Sequence, residues 1–278
     1  MRIDAHQHFW TYDPVQYGWI GEGMEVLARD FGPEHLQAEL ESAALDGAIT
    51  VQARQDLDET RWMLDMAREH PFLRGVVGWV DLCSTEAAAQ LEELGADPGL
   101  VGIRHVLQDE PDDRFMLRED FQRGLAAMAG TGLVYDLLIF PRHLTHAIEL
   151  VDRFPEQAFV LDHLAKPPIA EGALEPWRAS LAQLAEREHV TCKLSGMVTE
   201  ADWARWRPED IAPFMDAALE SFGPKRLMFG SDWPVCTLAA PYQAVHAVAM
   251  DWASKLSDDE RASLFGECAA RVYLKHCS

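Results

Sequence analysis

Eight short segments of the chain are apolar on both faces: Arg2–Phe9, Ala48–Ala53, Gly75–Leu82, Leu100–Val106, Leu133–Phe140, Ala158–Leu164, Val190–Leu194 and Leu227–Gly230. Near-continuous apolar runs of this length are what strands need when both faces of a parallel sheet are covered. Between them lie segments with helical spacing. Pro33–Leu45 sets Leu36, Leu40 and Ala43 on one face, and Arg118–Ala129 does so with Phe121, Leu125 and Met128. Leu144–Phe154 carries Ala147, Ile148 and Val151, and Ile211–Phe222 carries Phe214, Ala217 and Ala218. Such stripes cover a sheet. Strand starts recur every ~25–45 residues, the spacing of βα units with right-handed crossovers. Eight units predict an α/β fold, a closed (β/α)8 TIM barrel, with residues 1–278 as a single domain.

Two connections are longer than a barrel needs. Trp10–Asp30 follows strand one and holds Tyr12, Tyr17 and Trp19; Met197–Pro208 follows strand seven and holds Trp203 and Trp206. Both belong at the C-terminal face of the strands, where barrel enzymes build their sites. Their aromatic rings either close a pocket over a sugar-like ring or pack at the rim.

The formal charge of −22 argues against nucleic-acid and anionic-membrane partners, which need a basic face. No apolar run approaches the ~20 residues of a membrane span. The chain opens on Met1-Arg2-Ile3-Asp4 without a basic-then-apolar leader, so a cytoplasmic protein is expected. The five cysteines (Cys83, Cys192, Cys236, Cys268 and Cys277) show no CxxC spacing, which fits reduced, buried thiols.

Polar residues at the C-terminal ends of buried strands mark a barrel's chemistry. Strand one ends in His6-Gln7-His8, and residues two apart on a strand share a face, so both imidazoles point into the mouth. Such a pair binds a metal or polarises a carbonyl. Arg104 on strand four either holds a carboxylate or ring oxygen, or forms an internal salt bridge, and its neighbour His105 faces the other way. Asp136 on strand five binds a hydroxyl, orients a histidine or pairs with Arg104. His163 after strand six is a candidate acid, base or carbonyl polariser. On strand seven, Lys193 and Ser195 share a face; the alternative for Lys193 is an outward, solvated side chain. Asp232, where strand eight turns into its loop, is placed to take a proton from water, unless it caps a turn. There is no GxGxxG or phosphate loop, and no GxSxG elbow around Ser195, so direct attack by water is favoured over a covalent intermediate.

Taken in order, HQHFW, GIRH, LDHLAKP, KLSGM and FGSDWPV resemble the amidohydrolase superfamily, and within it the amidohydrolase-related branch that contains sugar lactonases. Leu27–Phe31, Val51–Ala53, Glu59-Thr60 and Val76–Leu82 extend the likeness along nearly the whole chain. The resemblance implies a distorted (β/α)8 barrel that opens a small-molecule sugar lactone, such as L-fucono-1,5-lactone or L-rhamnono-lactone, to the aldonic acid. Asp232 would activate the water, with His6, His8 and His163 around the scissile carbonyl. Arg104, Asp136, Lys193, Trp79 and Trp233 would bind the sugar. His6, His8 and Asp232 are the implied ligands if a metal is bound. The chain departs from the metal-dependent pattern, with Arg104-His105 on strand four in place of a lysine and Asp136 on strand five in place of a histidine. The implied cofactor is therefore none required, or weakly bound Zn2+. A metal-dependent decarboxylase of the same superfamily and a non-catalytic sugar-binding barrel are the alternatives.

Overall fold

The computed structural model describes residues 1–274, and Cys277 lies outside the described residues. Eight parallel strands follow one another around a ring in chain order: β1 (Ile3–Gln7), β2 (Gly47–Val51), β3 (Leu73–Gly78), β4 (Leu100–His105), β5 (Val134–Leu137), β6 (Phe159–Leu161), β7 (Val190–Leu194) and β8 (Leu227–Phe229). The interleaved helices are α1 (Pro33–Ser42), α2 (Leu57–Glu69), α3 (Ala87–Gly95), α4 (Glu119–Ala126), α5 (Leu144–Arg153), α6 (Trp177–Ala185), α7 (Pro208–Phe222) and α8 (Tyr242–Ala253). Short α9 (Asp258–Ala262) and α10 (Cys268–Tyr273) end the described chain. The expected (β/α)8 architecture is present. No helix among the described residues is long and apolar enough to cross a membrane.

Several strands stop earlier than their apolar runs. The run to Leu164 ends as a strand at Leu161, because His163, Leu164, Ala165 and Lys166 all adopt the left-handed conformation, with φ of 51–58°. Each such non-glycine residue costs about 1–2 kcal/mol. The turn is held by the Trp177 indole, which donates to the Leu164 carbonyl at 2.7 Å.

The barrel interior is layered. Ile3, Ala5, Ile49, Val51, Val77, Val134, Val160 and Met228 form an apolar floor, and Cys268, Ala269 and Tyr273 of α10 pack into the same cluster. Above the floor the inward positions turn ionic, with Arg104, Asp136 and Lys193 all buried. The remaining apolar side chains form the larger shell between strands and helices. Cys83, Cys192, Cys236 and Cys268 are free thiols.

The ring closes between β1 and the chain just after β8. Asp232 N–H donates to the His6 carbonyl at 2.8 Å and His8 N–H to the Trp233 carbonyl at 2.7 Å. Asp4 clamps this seam. Its Oδ1 accepts from the backbone of His6 (3.1 Å) and Ser231 (2.9 Å), and its Oδ2 accepts from the Tyr242 hydroxyl on α8 (3.0 Å). Asp4→Ala leaves three buried donors without an acceptor, which should cost about 3 kcal/mol of stability in urea unfolding. An unchanged midpoint would show that the seam closes without it.

Candidate active site

The first pair of functional side chains depends on a β-bulge. Ile3 pairs with Gly47 and Asp4 with Ala48, but Gln7 pairs with Thr50, so β1 carries one residue more than β2 between these points. Strict alternation from Ile3 and Ala5, which face the interior, would send His6 outward with Asp4. The extra residue turns His6 inward instead, as bulges beside active sites do. His8 follows on the same side, and the two Nε2 atoms lie 3.1 Å apart. Gly230 leaves room for this, since a Cβ there would lie 2.6 Å from the His6 Cβ.

The Asp232 Oδ1 lies 3.4 Å from His8 Nε2, 3.8 Å from His6 Nε2 and 3.9 Å from His163 Nε2. Three imidazoles from β1 and the end of β6 thus surround one carboxylate from the end of β8. Their protonation follows from their partners. His8 Nδ1 lies 2.8 Å from the Val51 carbonyl, which can only accept, so His8 donates there and turns Nε2 toward Asp232. His6 Nε2 lies 3.3 Å from Arg104 Nη1, which can only donate, and His6 Nδ1 lies 3.3 Å from Asp162 Oδ1. His6 Nε2 therefore accepts from Arg104, while Nδ1 is shared between Asp162 and the Lys193 ammonium at 3.2 Å. Burial, Lys193 and His163 hold His6 well below the ordinary imidazole range against the pull of Asp162. Burial likewise lowers His163 to about 4. Burial alone would raise the Asp232 carboxyl; His163, His8 and His6 more than reverse this and hold it below the usual carboxylate range.

Beneath the histidines lies a buried charge cluster. Lys193 Nζ is 2.6 Å from Asp136 Oδ2, 2.9 Å from Asp162 Oδ1 and 3.2 Å from His6 Nδ1. Arg104 Nη1 is 2.9 Å from Asp162 Oδ2, and the rest of its guanidinium donates to Gln52. The Tyr273 hydroxyl donates to Asp136 at 2.8 Å. Burial raises the Asp136 carboxyl despite Lys193, whereas Lys193, His6 and Arg104 overcome burial at Asp162 and hold it low. Lys193 is thus fully buried, not solvated, and Arg104 is both an internal ion pair and a wall of the cavity.

A cavity of about 450 Å³ opens over this site. His8, Arg104, His163 and Asp232 lie at its inner end; Gln16, Trp19, Arg54, Gln108, Glu110 and Lys166 are among the residues lining it. Asp136 and Lys193 lie below it and do not line it. Trp79 and Trp233 do not line it either. Trp79 donates to His105, and Trp233 packs against Phe9 and Phe31 with ring centroids 6.1 and 5.3 Å away. Trp19 of the first long connection reaches the cavity, whereas Trp203 and Trp206 donate to the carbonyls of Thr199 and Ala239.

The chain matches the family model described as amidohydrolase over residues 3–275. It belongs to the amidohydrolase family. It is also 48% identical to the L-fucono-1,5-lactonase of Burkholderia multivorans, covering 98% of this chain and 96% of that one. The L-fucono-1,5-lactonase of Burkholderia ambifaria is 38% identical, covering 98% and 95%. A crystal structure of a Burkholderia multivorans amidohydrolase with bound zinc superposes with a TM-score of 0.96 at 46% identity, covering 99% of each chain. This amidohydrolase is accordingly a hydrolytic enzyme.

Two residues of this amidohydrolase site, Asp162 and Glu59, escape a reading by strand alternation, whereas spacing does set Ser195 beside Lys193. Asp162 directly precedes His163, so alternation sets it on the opposite face; the left-handed turn lets both serve the site. Ser195 is buried, with its hydroxyl 2.8 Å from His163 Nδ1. Glu59 on α2 is buried under the rim, where its Oε2 accepts from the backbone of Ala53 (3.0 Å) and Arg54 (2.9 Å) and its Oε1 from the Tyr17 hydroxyl (3.3 Å). It ties the loops after β1 and β2 together. Burial pushes its carboxyl from 4.5 up to about 7. Glu59 is thus ionised from lower pH in the unfolded chain than in the folded one, and stability falls as pH rises through this window. Glu59→Gln removes that penalty. Relative to this variant, the wild type should lose on the order of 2 kcal/mol in urea unfolding between about pH 5 and pH 8. A difference independent of pH would contradict the buried, proton-binding state of Glu59.

Proposed function

We propose that this enzyme hydrolyses sugar lactones of the L-fucono-1,5-lactone class to the aldonic acid, with Asp232 as general base on water. The observation that carries the reading is the convergence of His8, His163 and Asp232 at the inner end of a cavity, with His6 buried directly behind them. The two relatives named L-fucono-1,5-lactonase support the substrate class.

The same convergence bears on a metal. His6 Nε2, His8 Nε2 and the Asp232 carboxylate face one another at 3.1–3.8 Å. Donors about 2.0–2.1 Å from a tetrahedral zinc would be separated by about 3.4 Å. The set therefore fits a three-ligand site with an open position, held by His6, His8 and Asp232. A bound Zn2+ would supply Lewis-acid polarisation of the lactone carbonyl. Arg104 Nη1, at 3.3 Å from His6 Nε2, competes as a donor for that nitrogen's lone pair and weakens the hold on any cation. A firmly bound ion, which the decarboxylase alternative requires, is disfavoured on this ground.

The chain's own groups account for the proton traffic. Asp232 accepts the proton of the attacking water. His163, neutral and anchored by Ser195, stands beside it to take up that proton and pass it to the departing ring oxygen. Arg104 spends its N–H groups on Asp162, His6 and Gln52, so it acts on the site by orienting His6. Asp232→Asn should lower kcat for L-fucono-1,5-lactone at least about 10³-fold while leaving the circular dichroism spectrum and unfolding midpoint close to wild type. Turnover at the wild-type rate in this variant would remove Asp232 as the base.

A further inference from the structure

Two carboxylates besides Asp232 line the cavity, Asp109 and Glu110, and neither has a part in the chemistry above. In an eight-strand ring β4 stands four strands from β8, so the loop after β4 faces the Asp232 loop across the mouth. That loop carries Glu110. Glu110 Oε1 lies 2.7 Å from Nε2 of buried His105, and His105 Nδ1 lies 3.4 Å from Trp79 Nε1. An indole nitrogen can only donate. His105 therefore accepts at Nδ1, carries its hydrogen on Nε2 and donates it to Glu110. The ring is fixed further by stacking on Phe115, with centroids 5.0 Å apart and planes 18° from parallel. Burial lowers the His105 imidazole, so Glu110's partner is a neutral donor and not a counter-ion.

The cations around the cavity are already neutralised. Arg104 pairs with Asp162 at 2.9 Å, Arg54 with Asp56 at 3.4 Å, and Lys166 with Glu200 at 3.5 Å. Among the described residues no cation lies within salt-bridge distance of Glu110, and its Oε2 has no hydrogen-bond partner. The adjacent Asp109 is exposed to solvent. Glu110 is thus an oriented, half-buried carboxylate with acceptor capacity left over, on the side of the mouth opposite the base.

We propose that Glu110 is a specificity-determining residue that accepts hydrogen bonds from the hydroxyls of a neutral polyhydroxylated lactone and repels lactones that carry a carboxylate of their own. Trp79 and His105 are positioning residues that act through it. This rests on the lactonase reading and names the feature by which the site selects. A carboxylate fits the task because it accepts from two adjacent hydroxyls, and because a second carboxylate beside it in a partly dry pocket is disfavoured.

The test is steady-state kinetics of wild type, Glu110→Gln and Trp79→Phe on L-fucono-1,5-lactone. Inhibition constants are measured alongside for a neutral aldonolactone and the aldarolactone of the same ring, which differ only in a terminal carboxylate. Glu110→Gln should raise KM about tenfold with a smaller fall in kcat, and narrow the preference for the neutral inhibitor by about tenfold. Trp79→Phe keeps an aromatic ring, though a smaller one, removes the donor and should move the preference the same way by less. A loss of Trp79 packing alone would lower stability without changing that preference. An unchanged preference in Glu110→Gln overturns the assignment of Glu110, and an unchanged one in Trp79→Phe overturns the relay. Wild-type protein that opens no lactone would instead remove the lactonase reading, and this proposal with it.

Discussion

Lys193 lies inside the barrel with no exposure to solvent, and the site above depends on how its charge is met. An ammonium taken out of water costs several kcal/mol unless ion pairs and hydrogen bonds replace its hydration. Asp136 and Asp162 do so from β5 and the end of β6, and Arg104 on β4 balances the second carboxylate. Two cations and two anions from four consecutive strand ends thus form one neutral cluster. Removing any one member strands its partners in a dry interior, which makes the cluster a constraint on strand register as well as a source of local field. His6 rests directly on it; its orientation follows from Asp162, Lys193 and Arg104, and its neutrality from burial, with Lys193 and His163 adding to it.

The vertical order of the barrel then has a physical logic. The floor is apolar and stoppered by α10, whose Tyr273 reaches up to Asp136. The ionic layer excludes water from below and orients the first histidine. The mouth gathers imidazoles and a carboxylate around a single point. Each distortion of the regular fold serves this upper layer: the bulge in β1 turns His6 inward, the left-handed turn after β6 presents His163 and Lys166, and Gly196 at φ 63° leaves the space that the His163 ring fills. The backbone strain falls beside the candidate site, where the surrounding packing can hold it.

Much of this was legible in the chain. The apolar runs mark all eight strands, and the bounds of β7 coincide with Val190–Leu194. His6, His8, His163 and Asp232 stand out because polar residues at buried strand ends are rare. What alternation does not reveal is any residue placed by a break in alternation. His6 and His8 share a face as spacing requires, but that face is the inner one only because of the bulge. Asp162 was hidden by its neighbour. The amphipathic stripe of α2 is obscured because two of its buried positions, Glu59 and Thr60, are polar and serve the rim. Trp79 acts on the cavity only through His105 and Glu110, and Asp136 on the site only through Lys193 and His6, relations that no one-dimensional spacing encodes.

The most direct measurement is acid release from L-fucono-1,5-lactone by the wild-type protein, before and after exhaustive dialysis against a chelator, over the spontaneous rate. The geometry predicts enzymatic release in both states, because Asp232 and the histidines supply the base and the proton transfer while Arg104 disfavours tight retention of a cation. Release no faster than the spontaneous reaction in either state would contradict it.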